Sequence, residues 1–161
     1  MRLLNSRPKQ LICASLLLVG GFSFQSRPKV GEKVLTGLLA GAQASRQTMD
    51  IINRSCRDCH SEQTTYPWYS YVAPISWLIQ RDVKRGREHL NFSQWPEYSL
   101  LRRERCLSEI ANQVADGDMP LPLYVFVHRS ARLSPQDAKA LFDWTQTERS
   151  RLILEGKAAL P

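Results

Sequence analysis

From Ser45 onward, apolar residues recur at helical rather than strand spacing. Met49, Ile51 and Ile52 predict a short helix that runs into Cys56, with Met49 expected in the core. Pro74, a favoured first-turn residue, opens a second helix on which Ile75, Leu78, Ile79 and Val83 share a face up to about Leu90. Asn91 and Pro96 bracket a loop. Leu100, Leu107, Ile110, Ala111 and Val114 define a third amphipathic helix, and Gly117 is placed to end it. Pro120 and Pro122 stop any helix from running through GDMPLPLY. Ser134, Pro135 and Asp137 form a capped helix start, after which Ala138, Leu141, Phe142 and Leu152 line one face of a fourth helix. Leu123 to Val127 is the only strand candidate. The pattern predicts an all-α domain over residues 45–155, with its chemistry on the loops between helices.

The N-terminus has a different pattern. Residues 1–10 are basic and polar, and residues 11–24, LICASLLLVGGFSF, are apolar and uncharged. These are the first two parts of an export signal. The apolar stretch is shorter than the roughly 20 residues of a full membrane span. Gly21-Phe22-Ser23 offers small residues for cleavage, and Ala42-Gln43-Ala44 a better site placed too far away. Residues 1–26 therefore read as an export signal, or as an anchor to the inner membrane through residues 11–24, and residues 27–44 as a linker. Cys13 follows Gln10-Leu11-Ile12 without the small residue of a lipoprotein signal, so lipidation is not expected. The domain is expected in the periplasm, soluble or anchored, where disulfides and covalent cofactors are available.

Composition narrows the class. The 161 residues are 43% hydrophobic and 23% charged, which suits one folded domain plus a short extra segment. The net charge is +7. Arg2, Arg7 and Lys9 lie in the leader, which leaves 19 basic against 15 acidic residues after it. That balance, without a basic run or a binding motif, gives no reason to expect nucleic acid. No Ser/His/Asp set, phosphate loop or paired-carboxylate motif points to a hydrolase or kinase.

Cys56-Arg57-Asp58-Cys59-His60 is C-x-x-C-H, the attachment signature of a c-type haem. Two thiols at this spacing can each add across one haem vinyl group, and the next residue turns its imidazole to the iron. Cys56 and Cys59 are the expected thioether sites of one covalent haem c, and His60 the proximal ligand. Three other readings compete. A thioredoxin-like C-x-x-C expects a strand ahead of it, and none precedes Cys56. A structural zinc site needs four ligands, and Cys106 with His89 or His128 supplies no second paired knuckle. A Cys56–Cys59 disulfide leaves His60 unexplained.

The sixth iron position separates electron carriers from gas-binding or peroxidatic haems. Met119, in the Gly117-Asp118-Met119-Pro120 loop after a helix, resembles the Met loop of cytochromes c and is the expected distal ligand. His128 is the alternative. A thioether raises the potential relative to a second imidazole. Tyr66-Pro67-Trp68-Tyr69, with Tyr71 and Trp77, follows His60 closely, and Trp68, Tyr69 and Trp77 are candidate haem-wall residues. Arg81, Lys84, Arg85 and Arg87, and Arg102, Arg103 and Arg105, read as solvated faces, or as groups that bind propionates or steer an acidic redox partner. His89 reads as a solvated helix histidine, and Cys106 as a buried thiol.

The stretch SCRDCHSEQTTYPWYSYVAPISWLIQRDVKRGREHLNFSQW, continued by GDMP, LPLY, His128, Leu133-Ser134 and Trp144, closely resembles the bacterial haem-binding domain family over residues 47–150. The resemblance implies an exported, often membrane-anchored, cytochrome c-like domain, with Cys56 and Cys59 as thioether sites and His60 as axial ligand. The long aromatic insert after His60 and the M-P-L-P loop depart from small mitochondrial-type cytochromes. The expected function is single-haem electron transfer with an unidentified redox partner, a carrier rather than a catalyst. The alternative is a distal-open haem acting as a peroxidase-like or ligand-sensing site.

Overall fold

The structure, a computed structural model, describes residues 37–158. The signal or anchor segment, Cys13 and residues 27–36 of the expected linker lie outside the described residues. No helix among the described residues is long and apolar enough to cross a membrane. They contain no β-strand and follow the order α1 (Arg46–Ser55), α2 (Arg57–His60), a 3-10 turn (Trp68–Tyr71), α3 (Ile75–His89), a 3-10 turn (Phe92–Glu97), α4 (Leu100–Ala115), α5 (Pro122–Val127), a 3-10 turn (Arg129–Ala131) and α6 (Pro135–Ala158). The fold is all-α, compatible with a cytochrome-like helical domain.

The described residues divide into two units, one of residues 65–82 and one of residues 37–64 with 83–158. In the first, the Trp68–Tyr71 turn leads into the first half of α3. Ser70, fully buried, closes that turn by donating from its hydroxyl to the Pro67 carbonyl. Trp68 and Tyr69 meet edge to face with ring centroids 5.8 Å apart.

The second unit holds the main core. Ile51 and Ile52 of α1, Leu90, Phe92, Trp95 and Tyr98 of the segment after α3, Cys106 and Leu107 of α4, and Leu141, Trp144 and Leu152 of α6 bury against one another, with Met49 packed at the edge. Three helices begin where side-chain oxygens satisfy free backbone N–H groups. Ser45 accepts from Thr48 N at 3.0 Å to open α1, and Ser99 from Arg102 N at 3.3 Å to open α4. At α6, Ser134 Oγ accepts from Asp137 N at 3.1 Å while Asp137 accepts from Ser134 N at 2.8 Å, a reciprocal box. Gly117, at φ +75°, ends α4 in the left-handed region that favours glycine.

Several expectations are corrected. Leu123 to Val127 forms helix α5, not a strand: Pro122 presets its first turn, and the β-branched and aromatic run is read on a helical face, with Leu123, Phe126 and Val127 exposed. The loop expected between Asn91 and Pro96 is the 3-10 turn Phe92–Glu97, with Asn91 before it accepting from Ser93 N. Phe142 is 49% exposed, because the buried stripe of α6 runs through Leu141, Trp144, Thr145, Glu148 and Leu152, at steps of three and four residues. Residues 37–44 of the expected linker belong to the core unit. Leu39 is buried and donates from its N–H to the Phe92 carbonyl at 3.1 Å. Gln43 O accepts from Trp144 Nε1 at 3.0 Å, and Gly41 O from Arg151, whose guanidinium also pairs with the buried Glu148.

Candidate functional site

The site begins where α1 stops. The Cys56 backbone leaves helical geometry at φ −124°, and α2 restarts one residue later. The Cys56 carbonyl then accepts from Cys59 N at 3.2 Å and His60 N at 3.0 Å. Residues three and four apart on a helical turn share a face, so Cys56, Cys59 and His60 line up together. None of Cys56, Cys59 and Cys106 is in a disulfide. Burial, and then the neighbouring Cys59, push the Cys56 thiol up to about 12, so it stays protonated at neutral pH. A nucleophilic redox cysteine shows the opposite shift.

His60 Nδ1 lies 3.0 Å from the Leu90 carbonyl. A carbonyl only accepts, so Nδ1 carries the proton and donates it, which leaves the Nε2 lone pair available for a metal. Burial lowers the His60 pKa, with the Leu90 and Gly86 carbonyls acting in the opposite direction, and the balance favours the neutral, ligating imidazole. The Phe92 ring stands 6.2 Å from the His60 ring and limits its freedom.

Residues 61–64 are belted to the end of α3. Arg87 donates to Ser61 O at 2.8 Å and Thr64 Oγ1 at 2.9 Å, and pairs with Glu62 at 2.9 Å. Glu62 also accepts from Asn91 Nδ2 at 2.7 Å, and its N–H donates to Ser93 Oγ at 3.1 Å. Gly86 lets the belt close, because a Cβ there would lie 2.6 Å from Cys59 O. On α5, the Tyr124 hydroxyl donates to Asp58 Oδ2 at 2.8 Å, and the His128 ring stacks on Tyr124 at 4.3 Å.

Residues 19–147 match the haem-binding domain family. The chain belongs to that family. Its cofactor is therefore haem, and the two thiols and the oriented imidazole on one helical face have the donor chemistry of a haem site. No curated protein and no solved structure matches this haem-binding domain.

The other predicted residues of the haem-binding domain fall as follows. Met119 is half-buried, its N–H donating to Gln113 O at 3.1 Å beyond the α4 terminus. His128 follows α5. Trp68 is 77% and Trp77 50% exposed, and both, with Tyr69, belong to the 65–82 unit. Arg87 is not a solvated helix residue but the centre of the belt. Arg102 covers the Tyr98 ring at 4.0 Å, and Arg103 donates to Trp95 O and Pro96 O. Cys106 is buried and His89 exposed. Sequence reasoning gave no role to Gly86, Glu62, Leu90, Asp58 or Tyr124. The DVKRGR and LNFS stretches contained the signal for two of them, Gly86 and Leu90, as motif letters without a mechanism.

Proposed function

We propose that this haem-binding domain carries one c-type haem, joined to Cys56 and Cys59 and bound axially by His60 and Met119, and that it transfers electrons in the periplasm. The observation that carries the reading is the His60 Nδ1 to Leu90 carbonyl bond, on the turn that also bears both thiols. A ligating histidine is commonly oriented by such a second bond. When bound, haem supplies reversible one-electron iron chemistry, and the protein sets its potential and access. The chain's own groups hold His60 neutral, keep the Cys56 thiol protonated until it is consumed, and pack Phe92 against the imidazole. The export-like leader supports the compartment.

The test is an optical spectrum of the exported protein, ferric and reduced, with a denaturing gel stained for haem. Haem retained on the denatured chain, a sharp reduced α-band and the ferric Met-to-iron charge-transfer band are expected. Covalent haem with a high-spin ferric spectrum would move the reading to a distal-open site. Absence of haem after expression with intact cytochrome c maturation would overturn it.

A further inference from the structure

Both candidates for the sixth ligand lie on one short stretch of chain, and a single side chain ties that stretch to the attachment turn. Tyr124 stands five residues after Met119 and four before His128. Its hydroxyl reaches Asp58, the residue next to Cys59, across 66 positions of sequence. At one end of the stretch, Met119 N donates to Gln113 O. At the other, Arg54 of α1 donates to Ser130 O at 2.9 Å and Arg132 O at 3.1 Å. Between these ends α5 has little core of its own, since Leu123, Phe126 and Val127 face outward. Burial and the Asp58 bond push the Tyr124 phenol up, so it remains a donor at neutral pH. Asp58 is itself fixed, with Oδ1 3.7 Å from Arg57 and its carbonyl accepting from Thr64 Oγ1 at 2.6 Å.

We propose that the Tyr124–Asp58 hydrogen bond is a latch that positions the sixth-ligand segment against the haem-attachment turn, which makes Tyr124 a positioning residue for the distal ligand. This rests on the His60/Met119 reading above. A bond of a neutral donor to a charged acceptor is worth enough to change the occupancy of a competing ligand position about tenfold.

The experiment uses the full exported chain loaded with haem and titrates imidazole, which competes for the sixth position. Tyr124→Phe removes one oxygen and keeps the ring. It should bind imidazole about tenfold more tightly and lose low-spin character, with covalent haem per chain unchanged. Asp58→Ala should do the same, whereas Asp58→Asn, which keeps an acceptor oxygen but loses the charge, should fall between the parent and Asp58→Ala. Glu104→Gln, which weakens the remote Glu104–Arg149 pair, should lower the melting temperature without altering the titration. A low-spin parent with an unchanged Tyr124→Phe titration overturns the latch alone. Equal effects from Glu104→Gln and Tyr124→Phe also overturn it, because general loosening then explains both. A parent that is already high-spin overturns the axial reading and the latch together.

Discussion

Gly86 and Cys59 are packed so closely that the missing Cβ of Gly86 would lie 2.6 Å from the Cys59 carbonyl oxygen and 3.2 Å from Cys59 Cβ. The end of helix α3 therefore passes against the Cys56–His60 turn backbone to backbone. That approach brings Arg87 within reach of Ser61, Glu62 and Thr64, and sets the Leu90 carbonyl one turn further on, opposite His60. The glycine thus helps fix where the imidazole points, and its own carbonyl bears on the His60 ring.

Gly86→Ala should accordingly be destabilising, even though alanine favours helices by up to about 1 kcal/mol over glycine. The clash is with backbone, which cannot rotate away, and overpacking of this kind costs about 1–3 kcal/mol. Chemical denaturation of the variant should show a lower midpoint with an unchanged slope, and less haem should be retained per chain. A variant as stable as the parent would mean that the close approach is not required.

The elements that the sequence revealed are those whose causes are local. Ser134 and Asp137 open α6 because both partners lie within one turn, and Cys56, Cys59 and His60 share a face because of their spacing alone. What escaped depends on distant partners. Arg87 reads in sequence as one of several solvated basic residues, because its partner Glu62 lies 25 positions away. The strand reading of Leu123 to Val127 followed β-propensity, which tertiary context outweighed once Pro122 had started a helix and Tyr124 had found Asp58. Leu39 lies in a compositionally plain stretch, and its burial and bond to Phe92 O, with the bonds of Trp144 and Arg151 to the Gln43 and Gly41 carbonyls, tie residues 37–44 to the core.

Cysteine substitutions separate attachment from binding. Cys56→Ala and Cys59→Ala should each leave one thiol able to form a thioether, so haem staining of the denatured chain should persist, with a shifted reduced α-band. The double variant should lose covalent haem entirely. Staining that survives in the double variant would place the attachment elsewhere.

Arg87→Met should cost about 2–4 kcal/mol. The substitution keeps much of the stem volume but leaves Glu62 half-buried opposite Asn91 with no cation, and removes the donors to Ser61 O and Thr64 Oγ1. Thermal unfolding would measure the loss. Changing Glu62 to Gln in the same chain should recover part of it, since the uncompensated charge is then gone. A double variant less stable than Arg87→Met alone would refute that account.

Asp137 makes the stability of the domain depend on acid. The Ser134 N–H, then Arg54, then the Ser134 hydroxyl hold its carboxyl down at about 2, and Arg54 approaches it to 2.7 Å. In the unfolded chain the group has its ordinary value of 3.8. The folded state thus binds this proton more weakly, so the contribution to stability is complete above about pH 5, shrinks as the pH falls through the unfolded value, and is gone below the folded one. Allowing for solvent at this surface site, it amounts to about 1–2 kcal/mol. Arg54 lies on α1, two residues before Cys56, and also holds the carbonyls of Ser130 and Arg132, so the pair joins the helix that leads into the Cys56–His60 turn to the start of α6. Urea midpoints of the parent and Asp137→Asn should differ at pH 6 and converge as the pH is lowered toward about 2. A difference that stays constant over that range would mean that the capping geometry, rather than the charge, supplies the effect.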